Sequence, residues 1–344
     1  MVHRWSVGYD SVMTALVTAR APLAGAEAEP PSTLLLDTGT VRLGRFRISP
    51  RHPNFAAEGQ MRRHEFVFPR TSVWIEHPGQ RPFVADPTTV TFYNRDEPYA
   101  RRELSPEGDR CEWYAVDPSL LEGIVREVDP GVADHPHRPF RFTHGPVDAG
   151  SYARQRLVAH HVATEADPDL LFVEEEMIAV LRRVLRQAYA RRGARTARGA
   201  PPRGAAETVA RATAFGLTRL GEKLTLARFA AAAGCTPFHL CRAVRAVSGG
   251  TLHAWLVRVR LQVSLERVAE PRSDLTGIAL DLGFSSHSHF TEAFRTAFGL
   301  PPSEFRRGVS SRAAARLAAA LAAYSGRSPR AGSGRKKLAA KPMA

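Results

Sequence analysis

Two stretches of this chain repeat one another, and that repeat constrains the fold more than any other feature of its 344 residues. The first runs Phe229-Ala230-Ala231-Ala232-Ala233-Gly234, then Leu240, Arg242, Val244 and Gly249. The second runs Ile278-Ala279-Leu280-Asp281-Leu282-Gly283, then Phe290, Glu292, Phe294 and Gly299, with one extra residue in the turn. Each unit reads as a short helix, a glycine at its C-terminal end, a polar turn and a second helix. Gly234 and Gly283 stand where a helix must end at positive φ, a region open to glycine. Thr236 before Pro237 fits an N-cap followed by proline at the first helical position, and Ser285 or Ser286 can cap the matching helix. Leu240 with Val244, and Phe290 with Phe294, are i, i+4 pairs that bury against the preceding helix and turn intervening residues outward.

Between the units lies Leu252 to Ala269, with Leu252, Trp255, Leu256, Val259, Val263, Leu265 and Val268 as its apolar positions. It reads as one helix, roughly 27 Å long at about 1.5 Å per residue. A spacer of that size holds two second helices near one turn of duplex DNA apart, about 34 Å. A single helical hairpin is a weak signal; two in register across a rigid spacer argue for a double helix-turn-helix, with each second helix in the major groove. A generic helical bundle is the alternative.

Charge supports a polyanionic partner in the same half. The chain carries 48 Lys/Arg against 34 Asp/Glu, a formal net charge of +14. Residues 309–344 hold eight basic residues and no acids, residues 191–215 are +5 and residues 216–308 are +5, which leaves residues 1–190 at −4. The excess lies wholly in the C-terminal half, where nucleic acid is the first candidate. For the tail alone, solubilisation is the competing explanation.

The front of the chain has a different texture. Val41 to Ile48, His64 to Phe68, Val73 to Glu76, Thr88 to Tyr93 and Cys111 to Val116 are short, β-branched or aromatic, and separated by turns such as Pro78-Gly79 and Asp86-Pro87. This predicts a small barrel or sandwich. Leu170, Val173, Met177, Leu181, Val184 and Ala188 then mark an amphipathic helix, with Glu174 to Glu176 early and Arg182, Arg183 and Arg186 late. A helix over 151–163 is expected before it. The fold class is therefore α+β and multidomain: 1–30 a flexible N-terminal extension, 31–190 a cupin-like β-barrel sensor and dimerisation domain with helices, 191–206 a linker, 207–308 an all-α double helix-turn-helix domain, and 309–344 a basic Ala-rich tail that can begin as a helix and ends in a disordered segment containing Arg335-Lys336-Lys337. Val12 to Ala26 is mostly small and apolar, and Ala24-Gly25-Ala26 faintly resembles a cleavage site. Arg20 and Asp10 break that pattern, so an extension is preferred to a signal peptide. No transmembrane run occurs. Three cysteines, Cys111, Cys235 and Cys241, make neither a disulfide framework nor a zinc spacing and fit a reducing, cytoplasmic setting.

The stretch Asp281-Leu282-Gly283-Phe284-Ser285-Ser286-His287-Ser288-His289-Phe290-Thr291-Glu292-Ala293-Phe294-Arg295, closing on Phe298-Gly299-Leu300-Pro301-Pro302-Ser303-Glu304-Phe305-Arg306, resembles the signature of the AraC/XylS transcription regulators. The resemblance covers about residues 220–307. It implies a two-lobed, seven-helix DNA-binding domain fused to a variable sensor, a regulator that is more often an activator, and a homodimer on double-stranded DNA. By motif position it implies base-facing residues Phe238, Cys241 and Arg242 in the first lobe and His287, Ser288, Thr291 and Glu292 in the second. Arg242 can grip O6 and N7 of guanine, with a phosphate or intradomain contact as the alternative. Phe238 can meet a thymine methyl or pack, and Cys241 allows close approach. Glu292 stands where arginine is frequent in the family; it can accept from cytosine N4 but repels phosphates. Arg245, Arg295, Lys223, Arg306 and Arg307 are candidate phosphate contacts or plain solvated charges.

A barrel of this size can enclose a small-molecule effector, and Phe66, Phe68, Trp74, Phe92, Trp113 and Tyr114 either line such a pocket or form core. His52, His64 and His77 lack the spacing of a cupin metal site, and His135-Pro136-His137 falls outside the strands. No catalytic residue, cofactor or metal is assigned. A cupin-type metal enzyme with an appended helical domain and a non-specific architectural DNA binder remain the alternative functions.

Overall fold

In the computed structural model the described residues are 31–198, 201–309 and 313–325. The extension over 1–30 and the run Arg335-Lys336-Lys337 lie outside the described residues.

Ten strands come first: β1 (Ser32–Asp37), β2 (Val41–Ile48), β3 (Gly59–Gln60), β4 (Glu65–Pro69), β5 (Val73–Glu76), β6 (Phe83–Ala85), β7 (Thr89–Tyr93), β8 (Pro98–Glu103), β9 (Asp109–Val116) and, later, β10 (His144–Pro146). The five expected strands are present with ends shifted by at most two residues. They pair antiparallel in two sheets, ordered β1-β2-β9-β4-β7-β10 and β3-β8-β5-β6. Among the described residues these sheets do not close into a barrel; each keeps two edges, and they stack as a sandwich.

The central strands β4 and β9 of the larger sheet are buried on both faces, and their successive side chains alternate between the two. On β9, Tyr114 and Val116 face the helices while Cys111 and Trp113 face the smaller sheet; on β4, Phe66 and Phe68 face the helices and Val67 the smaller sheet. The six aromatic residues considered for one pocket are therefore split. Phe66, Phe68, Phe92 and Tyr114 lie in the helix-facing core, Trp113 lies between the sheets, and Trp74 sits under the Arg102 guanidinium.

After α1 (Pro118–Arg126) come α2 (Ala149–Thr164) and α3 (Leu170–Arg198), which cover the larger sheet. Asp148 caps α2 by accepting from the Ser151 amide, and Tyr152 reaches from α2 to the Pro69 carbonyl at 3.0 Å. Val173, Met177, Leu181, Val184 and Ala188 of α3 are buried as the spacing predicts, but Leu170 is exposed in the first turn. α3 also runs through the first half of the stretch expected to be a linker, because alanine and arginine are good helix formers and Pro201-Pro202 is the first strong stop.

Seven helices follow: α4 (Ala205–Leu217), α5 (Leu226–Ala232), α6 (Pro237–Ser248), α7 (Leu252–Ala269), α8 (Leu275–Asp281), α9 (His287–Phe298) and α10 (Pro302–Gly308). They have two cores of unequal independence. Phe229, Leu240, Val244 and Leu256 pack with α4 in a separate first-lobe core. Phe290, Phe294, Phe298 and Phe305 of the second lobe belong instead to the core that contains α2, α3 and the larger sheet. The Ala-rich tail begins with a helix, α11 (Ala314–Ser325), and its Leu317, Ala318 and Leu321 are buried in that same core. Among the described residues no helix is long and apolar enough to cross a membrane.

Candidate nucleic-acid interface

Each repeat unit folds as its local chemistry dictates. Gly234 and Gly283 take φ of +65° and +76°. Thr236 accepts from the His239 amide at 3.2 Å and caps α6, while Ser286, of the two serines available, accepts from the His289 amide at 3.1 Å and caps α9. Both caps satisfy otherwise orphaned helix amides. Leu240 and Val244, and likewise Phe290 and Phe294, point inward, so the intervening positions are forced outward.

On α6 the residues Phe238, Cys241, Arg242 and Arg245 are all exposed, and Phe238 is 72% exposed despite its apolar ring. The Arg242 guanidinium carbon lies 5.8 Å from the Phe238 ring centroid, close enough for a cation–π contact that steers the side chain. α6 contains no carboxylate, so its outer face is cationic. On α9, His287, Ser288, Glu292 and Arg295 are exposed and Thr291 is half-buried. Glu292 Oε2 accepts from Arg295 Nη2 at 2.7 Å, which cancels both charges on that face. The two second helices thus present different electrostatics: α6 attracts a polyanion, while α9 is locally neutral.

The remaining cations divide. Lys223 is exposed. Arg307 is exposed and makes an interaction within the protein. Arg306 does not face solvent as a phosphate contact would: Nε donates to the Val268 carbonyl and Nη2 to the Ser273 carbonyl, both at 2.9 Å. Its charge is spent closing α10 onto α7.

The residue that sequence reasoning missed is Arg260, on α7. It is 8% exposed and donates to three backbone carbonyls at 2.9 Å: Leu220 through Nε, Glu222 through Nη2 and Gly283 through Nη1. It therefore ties the loop after α4 to the turn of the second unit. Its signal in the sequence was a charge on the buried stripe of the spacer helix, between Val259 and Leu261. Trp255 of the same helix donates to Asp86 Oδ2 of the sandwich at 3.4 Å, and Glu266 is ion-paired with Arg70 of the segment after β4.

The family model for a helix-turn-helix domain matches residues 229–308. The C-terminal region is an AraC-type helix-turn-helix domain. A probable transcriptional regulator LumQ from Photobacterium leiognathi is 29% identical over 87 residues, 25% of this chain and 35% of that protein. The chain thus spans about a third of that curated relative's length. An AraC-type transcriptional regulator structure from Chromobacterium violaceum covers 31% of this chain and 96% of its own at 22% identity and a TM-score of 0.29. ToxT from Vibrio cholerae covers 78% and 98% at 10% identity and a TM-score of 0.31. Nine of the twelve sequence-predicted contact residues stand on two helices of this domain, α6 and α9; Lys223 lies before α5, and Arg306 and Arg307 lie on α10. Outside it, His52, His64, His77, His135 and His137 form no cluster able to hold a metal ion among the described residues.

Proposed function

We propose that the chain is a sequence-specific double-stranded-DNA-binding transcription regulator, acting as a homodimeric activator in the cytoplasm under control of a small-molecule effector sensed by its N-terminal half. The observation that carries this reading is the outward row Phe238, Cys241, Arg242 and Arg245 on α6, repeated as Ser288, Thr291, Glu292 and Arg295 on α9, on helices linked through α7. An exposed aromatic ring beside an arginine, on a helix without acids, suits a major groove better than bulk water. His287 joins the second row at the N-terminus of α9.

In this reading Arg242 grips a guanine through two hydrogen bonds, Phe238 covers a thymine methyl, and Cys241 and Ser288 permit close approach. Thr291 and His287 contact the second site, Arg245 and Arg295 touch phosphate, and Glu292 limits the affinity of the second lobe. The test is binding of the full chain to its own upstream duplex and to a scrambled duplex across a salt series. A preference of roughly a thousandfold at physiological salt supports the reading. Equal binding that falls steeply with salt for both duplexes would replace it with the architectural alternative.

A further inference from the structure

A cleft of about 390 Å³ opens between the sandwich and the AraC-type domain, and five arginines line it: Arg45 and Arg47 of β2, Arg70, Arg110 of β9 and Arg156 of α2. Its carboxylates are fewer. Glu266 of α7 and Glu270, the residue that caps its C-terminus, reach it, and the fully buried Glu112 lies behind it, 3.3 Å from Arg70 and 2.7 Å from Arg156. Three observations indicate an unfilled demand for negative charge. Arg47 and Arg110 stand directly opposite one another on neighbouring strands, a like-charge placement that costs stability and that Glu107, 3.2 Å from Arg110, relieves on one side only. Arg47 has no ion-pair partner among the described residues, and the buried Arg45 Nε has no hydrogen-bond acceptor, with the Glu112 carboxylate 4.0 Å away and held by Arg156 at 2.7 Å. Arg70 is 9% exposed and divides itself between buried Glu112 and the half-exposed Glu266.

We infer that this cleft binds a small dianion, a phosphate or a dicarboxylate, and that Glu266 is the built-in counter-ion it displaces. The volume suits a small molecule. Planar guanidiniums converging from two strands and a helix suit bidentate oxyanions. Glu266 pairs with Arg70 and lies 3.7 Å from Arg110, so an entering anion competes for both partners. Because Glu266 belongs to the helix that joins the two repeat units, its release changes how α7 is held against the sheet. That link to DNA rests on the regulator reading above; the anion site itself does not.

The experiment is thermal melting and calorimetric titration of the full chain with inorganic phosphate, pyrophosphate, succinate or malonate, each against sodium chloride at matched ionic strength. At least one dianion is expected to give a saturable rise in melting temperature that chloride does not. The phosphate and carboxylate arms identify which oxyanion is preferred. Arg47→Ser, at an exposed position, is expected to weaken binding about tenfold while the unliganded protein stays folded. Glu266→Gln is expected to tighten binding roughly fivefold by removing the competitor. The site is refuted if all four dianions behave as chloride, if both variants bind as the parent does, or if duplex DNA competes with the anion for the cleft. Anion binding without preference between duplexes would sink the regulator reading and leave the site standing.

Discussion

The Arg260 guanidinium donates through Nη1 to the Gly283 carbonyl at 2.9 Å, joining the spacer helix to the turn of the second repeat unit. Two further donations, to Leu220 and Glu222, make this one side chain the brace between the lobes. Its burial beside Phe284 lowers its pKa from the ordinary arginine value, the direction that desolvation of a cation demands. Arg260→Ala leaves three carbonyls without this donor and should lower stability by about 2–3 kcal/mol, with Arg260→Lys recovering only part. Denaturant unfolding of the three proteins measures it; an alanine variant as stable as the parent would refute the brace.

The two turn glycines should respond unequally to alanine. A Cβ at Gly234 meets nothing within 4 Å, so only the positive φ is strained, at a cost of about 1–2 kcal/mol. A Cβ at Gly283 would lie 2.5 Å from Arg260 Nη2 and 2.9 Å from the Leu220 carbonyl oxygen. Gly283→Ala is therefore expected to cost more than Gly234→Ala and to disturb the Arg260 brace. Comparing the two melting temperatures checks the order, and equal losses would show that backbone strain alone matters.

On DNA, Arg242→Ala is expected to weaken binding to the preferred site by about 1–3 kcal/mol and to relax preference at one base pair. Glu292→Gln removes the partner of Arg295 and is expected to strengthen binding to every duplex and steepen its salt dependence by about one phosphate contact. Titrations at several salt concentrations separate these. A full base preference in Arg242→Ala would remove Arg242 from the reading helix face.

Buried Glu65 gives a signed pH dependence. Desolvation lifts its carboxyl to about 7, with the Arg63 charge acting weakly against it. The folded chain thus keeps a proton that the unfolded chain has already released, so this contribution is present below about pH 4.5 and is lost as pH rises through about 7. Glu65→Gln should therefore match the parent near pH 4 and be more stable at pH 8, by a difference on the order of 3 kcal/mol. Buried His77, whose pKa is lowered by desolvation, acts in the opposite direction: its contribution is lost as pH falls. Subtracting the two unfolding curves isolates Glu65, and a pH-independent difference would show that Glu65 finds charge compensation.

Truncation should separate two parts of the basic tail. Ending the chain after Val309 removes α11 and bares the surface beneath Leu317 and Leu321, so a clear fall in melting temperature is expected. Ending it after Ser325 keeps that helix and is expected to leave the melting temperature unchanged while flattening the salt dependence of DNA binding. An equal loss from both truncations would show that α11 does not carry the tail's structural role.

The double helix-turn-helix was legible because its determinants are local. Glycine at a positive-φ helix end, threonine or serine at an N-cap and i, i+4 apolar pairs act over a few residues, and each reappeared in the second unit. The same locality placed five strands correctly. It did not single out β1, β3, β6, β8 or β10; on β8, Arg101 points inward where an apolar residue is expected, and its charge is met by Asp109 at 3.4 Å and by the Phe46 ring. It also mistook the first half of the linker, where alanine and arginine read as loose chain until a neighbouring surface is known.

By itself, then, the sequence determined the repeat, the helix ends, the outward rows on α6 and α9 and the concentration of positive charge behind them. Tertiary structure decided the rest. It split the six aromatic residues between two sides of a sheet, spent Arg306 on backbone carbonyls, merged the second lobe with the helix-facing core and gathered Arg45, Arg47, Arg70, Arg110 and Arg156 around one cleft. The physical reason is range. Capping and periodicity act within a turn or two of chain, whereas burial and the pairing of charges depend on which distant segment arrives opposite, and the position of a residue along the chain does not encode that.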